Sequence, residues 1–217
     1  MKKDLTELVF ILDRSGSMSG LESDTIGGFN GMLAKQKEVD GECRITTILF
    51  DNQMELLHDR HDLEAVNPMT EKEYYTRGTT ALIDAIGFGI NKLVNVQKKT
   101  DKKLQAKNVM FVIITDGMEN SSREYTSKKV KSMISHQQKK YGWEFIFLGA
   151  NIDAVETAGW IGIDPSRAQN YHADSAGVAM NFQTMTETIL DYRTGKGIRE
   201  DWKEKIDEDF TGRKKKR

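Results

Sequence analysis

The sequence predicts an α/β fold: a doubly wound, mostly parallel central sheet with one antiparallel edge strand and helices on both faces. Three observations predict it. Short apolar, β-rich segments alternate with longer segments of helical periodicity along nearly the whole chain, the order that gives parallel strands joined by right-handed crossovers. Val109 to Thr115 runs apolar between the polar flanks Lys107-Asn108 and Asp116-Gly117, as expected of a central strand covered on both sides. Leu8-Val9-Phe10-Ile11-Leu12 runs straight into the polar stretch Asp13-Arg14-Ser15-Gly16-Ser17, so a buried strand ends where a loop rich in oxygen donors begins.

The elements follow in order. The first strand spans about Glu7 to Asp13. A helix follows over about Glu22 to Lys37, where Ile26, Phe29 and Leu33 fall at helical spacing. Cys43 to Phe50 is β-rich, Asp51-Asn52 is a turn signal, and Gln53 to His58 returns as the hairpin partner that forms the antiparallel edge. After Arg77-Gly78-Thr79-Thr80, a helix carries Leu82, Ala85, Ile86, Ile90 and Leu93 on one face. Val109 to Thr115 is the next strand. A helix over about Thr126 to Lys140 leads to the strand Phe145 to Leu148, closed by Gly149. A short helix near Asp153 to Ala158 and a last strand near Gln169 to Tyr171 precede a long helix over about Ser175 to Tyr192, with Val178, Phe182, Met185 and Ile189 on one stripe. These elements define one domain over residues 1–195. Residues 196–217 form a charged C-terminal tail ending Arg213-Lys214-Lys215-Lys216-Arg217, which either contacts an acidic partner or phosphates, or solubilises the chain.

With 217 residues, 38% hydrophobic and 30% charged, the chain holds one generous core. Its formal net charge of −1 provides no global attraction to nucleic acid or an anionic membrane. The longest apolar run, Val109 to Ile114, is far short of the roughly 20 residues a membrane helix needs. The apolar stretch near the N-terminus is too short for a signal peptide. A single cysteine, Cys43, excludes an intrachain disulfide and favours a reducing compartment. Together these features read as a soluble cytoplasmic protein.

Three loops of this fold meet at one edge of the sheet. One holds Asp13, Ser15 and Ser17. A second holds Thr79 and Thr80. The third holds Asp116, directly after a central strand. Open α/β sheets bind ligands at the carboxyl ends of their strands, where the strand order reverses, so Asp13 and Asp116 face each other across a crevice. Two carboxylates so placed repel unless a cation lies between them. Hydroxyls complete a shell without adding charge, and an all-oxygen set suits a hard ion such as Mg2+. Ser15, Ser17, Thr80, Asp13 and Asp116 supply up to five donors, directly or through water, leaving a position for an outside oxygen.

Asp13-Arg14-Ser15-Gly16-Ser17 resembles the DxSxS signature of von Willebrand factor A domains. Gly78-Thr79-Thr80-Ala81-Leu82-Ile83-Asp84-Ala85 resembles their threonine loop, and Ile113-Ile114-Thr115-Asp116-Gly117 their strand-end aspartate loop. The resemblance covers roughly residues 5–192 and implies a Rossmann-like fold with a metal-ion-dependent adhesion site. It implies Asp13, Ser15, Ser17, Thr80 and Asp116 as ligands of Mg2+, with Mn2+ or Ca2+ as substitutes; Thr79 is the alternative to Thr80. It further implies protein binding, in which a partner's Asp or Glu fills the open position, and no catalysis. The composition is more similar to the bacterial cytoplasmic tellurium-resistance-associated members than to extracellular adhesins.

Other readings stand beside this one. Asp-x-Ser-x-Ser in isolation is a common turn or helix cap. A strand-end Asp with Mg2+ could attack a phosphoryl group, but Ser15 stands where such hydrolases usually carry a second Asp. A scaffold domain with an empty site is the third alternative. Gly16-Ser17-Met18-Ser19-Gly20 fails as a nucleophile elbow because Met18 is central, and no P-loop motif occurs. His58 and His61 read as a solvated hairpin end rather than a zinc site. Asp24 is either a helix-terminal carboxylate or an outer-sphere group of the site, and Glu119 and Asn120 are either solvated loop or partner-reading rim. Trp160 and Trp202 are either core or interface anchors.

Overall fold

The computed structural model describes residues 2–214, with side chains over 5–213. Six strands form one sheet: β1 (Lys2–Asp13), β2 (Cys43–Phe50), β3 (Met54–Asp62), β4 (Ala106–Thr115), β5 (Glu144–Gly149) and β6 (Ala168–Asn170). Their spatial order is β3-β2-β1-β4-β5-β6. All neighbours are parallel except the β2–β3 hairpin, which is antiparallel. The helices are α1 (Glu22–Lys37), α2 (Leu82–Lys99), α3 (Ser127–Tyr141), α4 (Ala154–Trp160), α5 (Ser175–Arg193) and α6 (Glu204–Lys214). The predicted α/β class, parallel sheet and single antiparallel edge are therefore present. The strand order reverses between β1 and β4, as expected of a doubly wound sheet.

Two cores sandwich the sheet, and strand periodicity assigns residues to them. In β1, Leu8, Phe10 and Leu12 join Phe29 and Leu33 of α1 and Phe182, Met185 and Ile189 of α5. The intervening Val9 and Ile11 point the other way, to Leu82, Ile86 and Ile90 of α2 and Val130 and Ile134 of α3. Because both faces are covered, Leu8–Leu12 of β1 and Val109–Ile114 of β4 show no polar alternation, which is why each appears in the sequence as an unbroken apolar run.

Helix ends follow local chemistry. Thr126 caps α3 by accepting from the Lys129 N–H at 3.2 Å, and Gly142 ends that helix in the left-handed region at φ 66°. Asp174 caps α5 through the Gly177 N–H at 2.9 Å.

Two boundaries and one burial differ from the sequence reading. β1 begins before Glu7 because Leu5 is buried and Lys2 pairs with Ala106. Glu7 itself is fully buried, neutralised by the Arg60 guanidinium, whose Nε lies 3.0 Å from Oε1. β3 continues past His58 to Asp62 with register shifts, and Arg60 takes φ 51°. His58 is not a solvated hairpin end. It is buried against Phe29, with ring centroids 6.5 Å apart, and its Nδ1 is 3.0 Å from Thr47 Oγ1.

The charged stretch from residue 196 folds back onto the sheet as far as Lys214. Trp202 and Ile206 are buried in the α1/α5 core. Trp202 Nε1 donates to Ser166 O at 2.8 Å, and Gln169 on β6 donates to Asp207 at 3.1 Å. Arg213 pairs with Asp174 and Asp209. The rest of the basic run, Lys215 to Arg217, lies outside the described residues. Among the described residues no helix is long and apolar enough to cross a membrane. Cys43 is buried and free, and burial pushes its thiol up to about 12.

Candidate functional site

β1, β4 and β5 are parallel, so Asp13, Thr115 and Gly149 end their strands at the same edge. Tight loops then aim the side chains. Ser15 N–H donates to Asp13 Oδ1 at 2.7 Å, closing a turn on the aspartate, and a 3₁₀ turn over Gly16–Met18 brings Ser17 Oγ to 3.0 Å from Ser15 Oγ. The segment before α2 runs alongside. Tyr74 OH donates to the Asp13 carbonyl, Arg77 N–H to the Arg14 carbonyl at 2.9 Å, and Gly16 N–H to the Gly78 carbonyl at 3.2 Å. Gly78 has φ 65°, and a Cβ there would fall 2.1 Å from Asn52 Oδ1, so only glycine fits. Thr80 is delivered next, its Oγ1 donating to Ser15 Oγ at 3.0 Å.

The Ser17, Ser15 and Thr80 hydroxyls thus form a row beside Asp13. From the other side, Thr115 Oγ1 donates to Asp13 Oδ2 at 2.7 Å and Asp116 N–H approaches the same oxygen at 3.3 Å. A Cβ on Gly117 would sit 3.0 Å from Ser17 Oγ and 3.5 Å from Thr80 Oγ1, which shows how closely the β4 loop meets the hydroxyl row. All five residues singled out in the sequence therefore come together. Thr80 is buried and bonded to Ser15, whereas Thr79 is exposed beside Asn52 and Gln53, lining a separate groove.

Burial raises the pKa of Asp13, an effect the hydrogen bonds from Thr115 and Ser15 partly offset. Burial raises Asp116 as well; its amide contact to Asn151 opposes this, and the Asp13 charge adds to it. Among the described residues neither carboxylate forms an ion pair. The adjacent Arg14 guanidinium is fully buried and turned away, with Nε 3.0 Å from Asp51 Oδ2 and Nη1 2.7 Å from Glu55 Oε2. Arg77 shares Asp51, at 2.8 Å.

Also among the described residues, no cluster of three or more His, Cys, Asp or Glu side chains is placed to hold a metal. This site has two carboxylates, and its other donors are hydroxyls. Two desolvated acids without an ion-pair partner among the described residues, bordered by three hydroxyls, offer an all-oxygen donor set that fits a hard divalent ion and not a soft one.

Glu119 and Asn120 are not free loop, because their side chains hold the start of α2. Glu119 Oε2 accepts from the Ile83 N–H at 2.8 Å and Oε1 from the Ser121 and Ser122 N–H groups, while Asn120 Oδ1 accepts from the Thr80 N–H at 2.9 Å. α2 begins after Ala81, which has no capping side chain, so the β4 loop caps the helix that presents Thr80. Asp84 returns the support, accepting from the Arg123, Glu124 and Tyr125 N–H groups. Asp24 hydrogen-bonds to Ser175 Oγ at 2.6 Å. Trp202 is core and Trp160 is 61% exposed on α4. The sequence reading missed Thr115, Tyr74, Arg14 and Asn151 around the site. Thr115 and Asn151 had a usable signal, because each stands where a parallel strand reaches the same edge as Asp13.

Similar solved structures share the fold at low identity. The minor pilin PilB of Streptococcus sanguinis, as its D319A mutant, is 11% identical, with TM-score 0.58 over 90% of this chain and 64% of that one. Proximal thread matrix protein 1 of the mussel byssus, with a zinc-occupied MIDAS motif, is 10% identical, with TM-score 0.55 over 87% of this chain and 46% of that one. Manganese-loaded Plasmodium vivax TRAP protein is 17% identical, with TM-score 0.56 over 82% of this chain and 72% of that one. The chain thus spans less than two thirds of the pilin and about half of the byssus protein. A comparison with curated protein sequences gave no match. The model of the von Willebrand factor type A domain matches residues 7–185, most of the chain and all three site loops, and the protein belongs to that family.

Proposed function

We propose that the protein is a divalent-cation-dependent protein-binding module in which Asp13, Ser15, Ser17, Thr80 and Asp116 hold the ion directly or through water. The observation that supports this most is the pair of buried, unpaired carboxylates bordered by a row of three hydroxyls. A bound Mg2+, or Mn2+ or Ca2+ in its place, would present a Lewis-acidic position to an anionic oxygen. Asp13 orients the Ser15 turn and anchors the β4 loop, so the two acids and the hydroxyls are set before anything binds. Three neutral donors keep the charge supplied by the protein to that of two carboxylates at most, which favours an Asp or Glu of a partner protein as the outside ligand. Gly117 keeps the crevice beside Ser17 narrow but open.

Phosphoryl hydrolysis is the weaker reading. Both Asp13 oxygens are occupied by N–H and O–H donors, and Ser15 takes the place of a second acid. We read the composition as more similar to the bacterial cytoplasmic tellurium-resistance-associated members of the family than to extracellular adhesins, a reading that carries no partner identity with it. Calorimetric titration with Mg2+ and Mn2+ tests the proposal. The native chain binds, and Asp13→Ala loses measurable binding while its circular dichroism stays native. An unchanged isotherm in Asp13→Ala refutes the assignment.

A further inference from the structure

Asn151 stands in the loop after β5 with φ 53°, one of two non-glycine residues at positive φ among the described residues. Asparagine tolerates this region better than most residues, yet the conformation still carries strain, and strain beside a site calls for a reason. The side chain supplies one. Its Nδ2 donates to Asp116 Oδ1.

The loop is held on both sides of this contact. Ala150 N–H donates to the Thr115 carbonyl at 3.0 Å, and Ala154 N–H donates to Asn170 Oδ1 at 2.9 Å. Asp116 is meanwhile fixed through its own N–H to Asp13 at 3.3 Å. The aspartate is therefore gripped at its backbone by β1 and at one carboxylate oxygen by the β5 loop.

The geometry points to Asn151 as a positioning residue that orients Asp116 and weakens one of its oxygens as a cation donor, an inference that rests on the cation-binding reading above. An oxygen that accepts an amide N–H has less charge to donate to a cation, and the bond fixes the direction in which its remaining lone pair points. Held in this way, Asp116 is a weaker donor to a cation through that oxygen. It neutralises the ion less than a free carboxylate would, and leaves more attraction for an anionic oxygen from a partner. Asn151 thereby trades cation affinity for ligand affinity.

Two variants separate this role from a purely structural one. Asn151→Gly adopts positive φ without strain and removes the amide. Asn151→Asp keeps the size and replaces the donor with a charged acceptor. Mn2+ titration by calorimetry, with Asp13→Ala as the blank, is expected to show Asn151→Gly binding about fivefold more tightly than the native chain, the worth of one such hydrogen bond. Asn151→Asp binds more tightly still, melts lower without metal, and gains more in melting temperature from Mn2+ than the native chain does. Equal or weaker Mn2+ binding by a natively folded Asn151→Gly overturns the inference and leaves the cation reading intact. A native chain that binds no Mn2+ overturns both.

Discussion

His58 shows what a single residue can report about this fold. Its ring is buried against Phe29 and hydrogen-bonded to Thr47. Burial pushes its pKa down to about 4, with the neighbouring His61 adding to the effect and Glu73 opposing it. In the unfolded chain the same group titrates near its ordinary value of about 6.5, so the unfolded state takes up the proton first. The stability contributed by neutral His58 is complete above about pH 6.5 and is lost as the pH falls toward 4. Urea melts between pH 6.5 and 4.5 are expected to show the native chain losing about 2 kcal/mol more than His58→Gln; parallel curves would contradict the burial argument. The residues of the candidate site differ in how legible they were. Asp13, Ser15, Ser17, Thr80 and Asp116 are oxygen-bearing side chains in three loops of the sequence, and the resemblance of those loops to the family's motifs selects them as a set, with Thr79 left as the alternative to Thr80. Arg14 is not selected, because its partner Asp51 comes from a distant loop; Asn151 stands after a strand that reaches the right edge, but nothing in its spacing ties its side chain to Asp116.

At the scale of elements, the loop from Asp116 to Tyr125 and the start of α2 behave as one unit. Glu119 and Ser122 serve the free N–H groups of Ile83 and Asp84, Asp84 serves three N–H groups in return, and Asn120 holds Thr80. Asp116 and Thr80 are thereby tied to a common frame. Glu119→Ala leaves three backbone N–H groups without their acceptor and is expected to cost about 1–2 kcal/mol in a chemical melt, with weaker Mn2+ binding in the same sample. An unchanged melt would show that water replaces the carboxylate without loss. The elements themselves were legible wherever a whole face is apolar, as in β1, β4 and α2. α6 was not, because among its charges only Trp202 just before it and Ile206 within it reach the core, and two residues establish no period.

At the scale of the molecule, the C-terminal segment is structural. It buries Trp202 and Ile206 and ties β6 and α5 together through Gln169–Asp207 and Arg213–Asp174. Ending the chain after Gly197 is expected to cost about 3–5 kcal/mol, the burial of those two side chains, and to lower the melting temperature markedly. A truncated chain that melts like the full one would show that the segment is dispensable. The two margins of the sheet have a consequence for recognition. β6 has three residues and lies under α6. On the opposite side, β3 carries Glu55, Asp59, Arg60, His61 and Asp62 with shifted pairing and a left-handed residue. Short, covered, charged or kinked borders make poor templates for another strand. Partner capture by backbone ladder extension is therefore disfavoured at both flanks, and so is uncontrolled stacking of copies.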